Sequence, residues 1–375
     1  MKGALLFIAI FALSMLIIPM IALNYQTVPP SAPAPVILSP PTSAPVPERE
    51  FPADAPYQPL PPMGPPDRPL DIDAPFPSSI PPLSGIPAVS HFRILDETTG
   101  AIHTVPLRDY VVGAVAAEMP ASFHPEALKA QAVAAHTFAL HQHLVQQRIP
   151  NPQLRGADFS ADPSNRWGFV TEEVARQIFG YREDEHWEAV TAAVDSVLHL
   201  ILKFEGEPIV AAYHAISAGR TEYASNVWVG SAPYLVPAYS GGCLHAPGFE
   251  TQETFTAEQL RTALQAAYPQ ITLTGDPSGW LEVTQRSSSG YVTTIRVGDT
   301  VLRGIDVRRA LSLRSHHFEF ALSGGEFTFT VLGYGHGVGL SQRGAEYMAR
   351  AGATFEQILL NYYTGASLYQ ITIDS

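Results

Sequence analysis

The chain is expected to fold as α+β: a helical pair carrying Glu118, packed with a mostly antiparallel β region and preceded by an N-terminal transmembrane helix. Three observations predict this. Apolar residues recur at helical spacing from Pro106 to about Val145. The period changes to two after Leu198, and it turns helical again after Ser341. Helices first, strands in the middle and helices last is an α+β order.

The first element is an apolar run from Ala4 to Leu23 behind Lys2, broken only by Ser14 and Pro19. Twenty residues at about 1.5 Å each span the roughly 30 Å hydrocarbon core of a bilayer. Residues 1–24 are therefore read as a membrane anchor with the cationic end inside. A cleaved signal is the alternative, but the run exceeds the usual apolar segment of one. Either way the remainder lies outside the cytoplasm.

Residues 25–87 read as an extended linker. Of the 34 prolines, 21 fall between Val28 and Pro87. Such a segment lacks backbone donors and apolar bulk, so a polyproline-like spacer follows, reaching at most about 190 Å at roughly 3.1 Å per residue. Residues 88–375 are then the working domain, large enough for a full core.

Within it, Leu107, Val111, Val115 and Met119 recur every four residues, and Pro120 stops the helix. A second helix opens at Pro125 with Glu126 near its positive end and runs to about Val145. Residues 151–165 read as a polar loop, and Glu185–Val197 as a helix. A hairpin is expected from Leu198–Phe204 and Glu207–His214 around Glu205-Gly206. Further strands are expected at Leu281–Gln285, Tyr291–Val297, Thr300–Arg303 and through Phe327, Phe329 and Val331. Two short helices close the chain, one after Ser341, the other opening with the capping box of Thr354 and Gln357.

Composition narrows the chemistry. The net charge is −13, with 35 Asp+Glu against 22 Lys+Arg, and no dense basic tract. That argues against nucleic acid as a partner. The single cysteine, Cys243, excludes an internal disulfide and any dithiol chemistry. Cys243 and His245 have no second cysteine and no H-E-x-x-H beside them, and His136, His141 and His143 form no clean ligand face. No metal and no cofactor are expected.

Glu118 is the most informative residue. It ends a helix whose preceding turns are almost wholly Val and Ala, so apolar neighbours and the negative helix end both favour its protonated form. A carboxylic acid kept neutral suits a general acid. The plainer reading has Glu118 pointing into solvent beside Pro120. A second feature is Gly333-Tyr-Gly-His-Gly-Val-Gly-Leu-Ser-Gln342. It is neither a dinucleotide fingerprint nor a Walker loop. Its alternate glycines allow close backbone approach and suit the wall of a glycan groove, with Tyr334 and His336 as lining. Alternatively it is a tight turn in which Ser341 caps a helix. The third is Tyr213-His-Ala-Ile-Ser-Ala-Gly-Arg-Thr221. A Ser/His hydrolase from these parts lacks a G-x-S-x-G elbow.

Taken together, these stretches resemble the stage II sporulation protein D family and its relatives called amidase enhancers. The matches run in order over roughly residues 90–375. They comprise Arg108–Pro120 with Ala-Glu-Met-Pro at its end, Glu126–Ala135, Tyr213–Glu222, Leu313–Ser315, Gly333–Gln342 and Asn361–Gly365. The resemblance implies a membrane-anchored lytic transglycosylase that cuts amidase-denuded peptidoglycan strands during engulfment. Glu118 then corresponds to the catalytic acid. Lys129, Gln131, His136, Tyr213, Ser217, Thr221, Tyr334, His336, Ser341 and Gln342 are the implied groove residues. The expected partners are glycan strands, a cell-wall amidase and the membrane. The alternative is a glycan-binding enhancer of an amidase without its own cleavage. Two departures stand out: His136 replaces a common arginine, and Ser217-Ala-Gly219 replaces Ser-Gly-Gly. A zinc cluster found in some relatives has no cysteine here to build it.

Overall fold

The computed structural model describes residues 88–163, 166–230 and 232–373. The anchor expected over 1–24 and the linker expected over 25–87 lie outside them. Among the described residues no helix is long and apolar enough to cross a membrane. What they form is α+β, with mainly antiparallel pairing.

The domain opens with an antiparallel pair, β1 (His91–Asp96) and β2 (Ile102–Pro106), which feeds directly into α1 (Leu107–Glu118) and then α2 (Pro125–Arg148). Both helices are buried on nearly all sides. In α1 every residue from Tyr110 to Ala117 is buried, so it is a central helix rather than an amphipathic one. Each buried valine contributes about 1.5–3 kcal/mol. Gly113 lies in the middle of α1 because a Cβ there would collide with the Val170 carbonyl. Its own carbonyl accepts from Val170 N–H at 3.2 Å. Pro125 starts α2, and the His124 ring caps it by accepting from Glu126 N–H at 3.2 Å.

The polar stretch expected to be a loop over 151–165 contains β3 (Phe159–Ala161), which pairs parallel with β1. Its three residues are all buried, so they carry no alternation for sequence reading to find. After it come α3 (Glu172–Phe179) and α4 (Glu183–Val197). The expected hairpin is half right. β4 (Leu200–Phe204) and β5 (Glu207–Pro208) pair around Glu205-Gly206, both at positive φ. The chain then leaves that sheet, because residues 209–214 are buried without alternation. The next strand, β6 (Tyr213–His214), therefore joins a different partner, described below.

A short α5 (Ala224–Val227) precedes β7 (Glu250–Thr256) and α6 (Ala257–Ala267), the latter started by a capping box of Thr256 and Gln259. The meander β8 (Leu281–Arg286), β9 (Val292–Val297) and β10 (Thr300–Arg303) follows the expected strands closely. α7 (Gly304–Leu311) leads to β11 (Phe318–Ser323) and β12 (Glu326–Leu332), which pair in the order β11-β12-β7. These strands enclose a core of their own around Trp280, Phe318, Phe327 and Phe329, whereas α1, α2 and α4 belong to the larger core.

The segment Gly333–Gly339 carries the chain from the smaller core to the larger. All four of its glycines have positive φ. Their missing side chains let it lie flat on residues 212–216: a Cβ on Gly339 would strike the Ala212 carbonyl, and one on Gly335 would come within 2.7 Å of His214 Cβ. β13 (Leu340–Ser341) then pairs parallel with β6. The two closing helices, α8 (Gln342–Arg350) and α9 (Phe355–Tyr362), form where expected, α9 with its full capping box. β14 (Ser367–Gln370) completes the β4 sheet.

Candidate active site

Glu118 is the last residue of α1, and the extended Met119 breaks the helix immediately after it. Its side chain is half-buried, reaching solvent at one edge of the larger core. The Gln342 amide donates to Glu118 Oε2 at 3.0 Å. Burial raises the Glu118 carboxyl above its usual range, while the Gln342 amide and the positive field of Arg166 pull it partly back. The hydroxyls of Tyr110 and Tyr213 are raised as well, first by burial and then by the Glu118 charge.

Gln342 reaches this position because α8 is anchored at both ends of its first turn. Ser341 is the N-cap, its hydroxyl accepting from Gly344 N–H at 3.4 Å and from Ser217 N–H at 3.2 Å. One turn further on, Glu346 accepts from His124 N–H at 2.6 Å and from Arg350 Nε at 2.5 Å. Gln342 and Glu346 thus share one helix face and together pin the 118–124 segment, which joins α1 to α2. Behind the cap, Ser341 Oγ contacts Cys243 Sγ at 3.2 Å. Cys243 contacts Ser240 Oγ at 3.2 Å, and Ser240 meets the Tyr362 hydroxyl at 2.7 Å.

The residues expected to line a groove fall into three groups. Gln342 touches Glu118, and Tyr213 lies within its field. The His336 ring is half-buried next to Trp228 at 4.9 Å and His214 at 5.6 Å, with the Tyr213 carbonyl beside it. Burial, then the neighbouring His214, hold it well below the usual imidazole range, so it is a neutral ring. The second group is structural in what it touches. Ser341 forms the cap just described, Ser217 meets it only through its backbone N–H, its own buried hydroxyl making no hydrogen bond to a described residue, and Thr221 exchanges bonds with the Ala238 and Val236 backbone. Tyr334 lies under the Arg314 guanidinium at 4.0 Å, facing other neighbours than His336.

The third group lies on α2. Gln131 is wholly buried, its amide making no hydrogen bond to any described residue. His136 is equally buried beside the Leu198 and Leu200 carbonyls, and burial lowers it to about 4. It is therefore uncharged at neutral pH and does not replace a fixed cation. Lys129 pairs with Glu126 at 2.8 Å, and Glu126 also accepts from Phe355 N–H at 2.7 Å, tying α2 to α9. Burial acts to raise Glu126, but these two donors outweigh it and hold the carboxyl low. Glu222 is buried and raised by that burial, its Oε1 accepting from Tyr223 N–H and Asn226 Nδ2.

Sequence reasoning missed Arg166, Tyr110 and Glu346. Arg166 stands at positive φ in the loop after β3, where no periodicity marks it. Glu346 could have been found as the residue one turn beyond Gln342. Among the described residues no three His, Cys, Asp or Glu side chains are grouped to hold a metal ion.

An α+β domain with the Glu118 carboxyl kept towards its neutral form, half-buried beside the Gln342 amide, has the parts of an acid–base site. Residues 96–204 match the family model described as Stage II sporulation protein. The chain is 32% identical over 268 residues to Stage II sporulation protein D of Bacillus subtilis (strain 168), covering 72% of this chain and 76% of that one. It is 34% identical over 271 residues to the protein of the same name from Bacillus amyloliquefaciens, covering 72% and 75%. A more distant relative, 26% identical, is the Amidase enhancer of Bacillus subtilis (strain 168), covering 68% of this chain and 40% of that one. The chain belongs to the stage II sporulation protein D family.

Proposed function

We propose that the protein is a membrane-anchored lytic transglycosylase of peptidoglycan, acting outside the cytoplasm on strands that an amidase has stripped of peptides during sporulation. The observation that carries this reading is the raised carboxyl of Glu118 beside the Gln342 amide. Protonated Glu118 donates to the glycosidic oxygen as the bond to N-acetylmuramic acid breaks. The sugar becomes oxocarbenium-like, and the resulting carboxylate takes the proton from the sugar's own C6 hydroxyl. That oxygen closes on C1, giving a 1,6-anhydro end and restoring the acid. One carboxylate performs both proton transfers, whereas hydrolytic glycosidases use two, about 5–10 Å apart.

Glu126 does not compete for this role, since Lys129 and Phe355 hold it low. Glu222 is raised by burial as Glu118 is, with Oε1 accepting from Tyr223 and Asn226, so the one-carboxylate scheme requires Glu222→Gln to keep cutting. The reading is tested by treating peptide-free peptidoglycan with wild type and Glu118→Gln. Wild type should release soluble fragments and the variant none, with glycan binding retained. Release by both would remove Glu118 from the mechanism.

A second reading, that the protein stimulates a cell-wall amidase without cutting, is favoured by the relative named Amidase enhancer. Under it, Glu118→Gln stimulates amidase as fully as wild type, and neither cuts purified strands.

A further inference from the structure

We propose that Glu346 is a positioning residue for the cleavage step, fixing the turn that carries Glu118 without itself touching the glycan. This rests on the reading of Glu118 as the group that cuts. The turn needs a hold from outside. Met119 N–H ends α1 on the Val115 carbonyl at 2.9 Å, and Phe123 N–H folds back on the Pro120 carbonyl at 3.0 Å. Pro120 has no N–H to add. His124 N–H instead leaves the turn and donates to Glu346 Oε2 at 2.6 Å. A carboxylate acceptor makes this bond stronger than a neutral backbone pair. The Glu346 side chain is 6% exposed, so little water competes for that donor, and the half-exposed Arg350 occupies its other oxygen at 2.5 Å.

α8 can serve as this hold because it is fixed in turn. A Cβ on Gly344 would come within 2.1 Å of the Tyr362 hydroxyl and 2.2 Å of Ser240 Oγ, so the helix lies directly on both. Arg343 N–H donates to the Ala215 carbonyl at 3.0 Å. From that footing three contacts reach the 118–124 turn. They are the Gln342 amide on Glu118, the Arg343 guanidinium over the Phe123 ring at 4.7 Å, and Glu346 on His124. The start of α2 is tied to α9 as well, where Glu126 accepts from Phe355 N–H at 2.7 Å. Gln342 touches the reacting carboxyl, whereas Glu346 acts on it only through the backbone between Glu118 and His124. What position 346 must supply is therefore an oxygen at the right reach, and its charge is secondary. A reacting group displaced by about 1 Å can lose about a hundredfold in rate, so freeing one end of this turn is felt at the other.

The test measures kcat and KM for the release of fragments from peptide-free strands by the full-length protein. Glu346→Ala should lower kcat about tenfold and leave KM within about twofold of wild type. Glu346→Gln keeps an oxygen that accepts from His124 N–H and should cut within about threefold of wild type. Glu346→Asp is one methylene shorter and should behave as Glu346→Ala. If Glu346→Ala fails to fold, the Gln and Asp variants alone decide. The double variant with Gln342→Ala should lose less than the product of the two single losses, since both free the same turn. Wild-type kcat in Glu346→Ala or Glu346→Asp overturns the proposal. So does a raised KM at unchanged kcat, which would put Glu346 in the groove. Glu346→Gln as slow as Glu346→Ala overturns it too, by making the charge the property that matters. Losses that multiply in full would make the two residues independent, which also overturns it. Wild type that releases nothing overturns the cleavage reading and the positioning role with it. Every other outcome leaves the cleavage reading standing.

Discussion

The side-chain amide of Gln342 donates to the Glu118 carboxylate at 3.0 Å across a sequence separation of 224 residues. This bond joins the end of α1 to the start of α8 and acts on the protonation of the carboxyl between them. It favours the charged form, against the larger effect of burial. On the proposed reading, this balance is what lets Glu118 give a proton and take one back.

Removing the amide should therefore shift that balance. In Gln342→Ala, Glu118 loses a donor to its charged form, so its protonated state persists to higher pH. The alkaline limb of the cleavage rate moves up, while the maximal rate falls about tenfold as the carboxyl loses its fixed position. A limb that stays in place would show that Gln342 does not govern this proton.

Arg166 acts on the same group through its field. Replacing it by Gln removes a positive charge that lowers Glu118, so the alkaline limb again moves up. Arg166→Lys should restore the wild-type profile. The comparison is between pH profiles, because a purely structural role would lower the rate equally at all pH values.

Glu118→Gln should gain stability in a pH-dependent way. The folded carboxyl is raised above its unfolded value of 4.5, so burying its charge costs stability increasingly as pH rises through the folded value. Below the unfolded value the cost is absent. The variant's gain in Tm should thus be larger at about pH 8 than at about pH 4. An equal gain at both would contradict the raised carboxyl.

The buried histidines predict acid sensitivity. His136 and His214 are lowered from 6.5 to about 4 by burial. The unfolded chain takes up these protons first, so their contribution is full above about pH 6.5 and is lost as pH falls towards 4. Each represents up to about 3 kcal/mol. Denaturant midpoints should drop steeply between about pH 7 and pH 4.5. A flat profile would mean that these rings are solvated.

Gly113 offers a test of the packing beneath the site. Gly113→Ala sets a methyl against the Val170 carbonyl, and should cost about 2 kcal/mol despite alanine's better helix propensity. Stabilisation would show that α1 and the 169–170 segment can separate freely.

Much of this arrangement was legible in the sequence, for identifiable reasons. α1 and α2 announce themselves through four-residue apolar spacing and through Pro120 and Pro125, which bound them. The alternate glycines of Gly333–Gly339 signalled close backbone approach, and the segment lies on residues 212–216. The pairing of β6 with β13 was not legible, since two-residue strands in a wholly buried run show no period. Nor was the burial of Gln131 and His136. Both sit in a helix buried all round, where a polar residue looks like a groove lining because no polar face exists for contrast. Arg166 reaches Glu118 only through the tertiary path of a loop.

The central claim is that one carboxyl both breaks the glycosidic bond and closes the anhydro ring. Mass spectrometry of the fragments released from peptide-free strands tests it most directly. The account requires muramic ends one water lighter than reducing ends, produced by wild type and absent with Glu118→Gln. Reducing ends instead would mean that water is the acceptor and that a second carboxylate, outside this scheme, activates it.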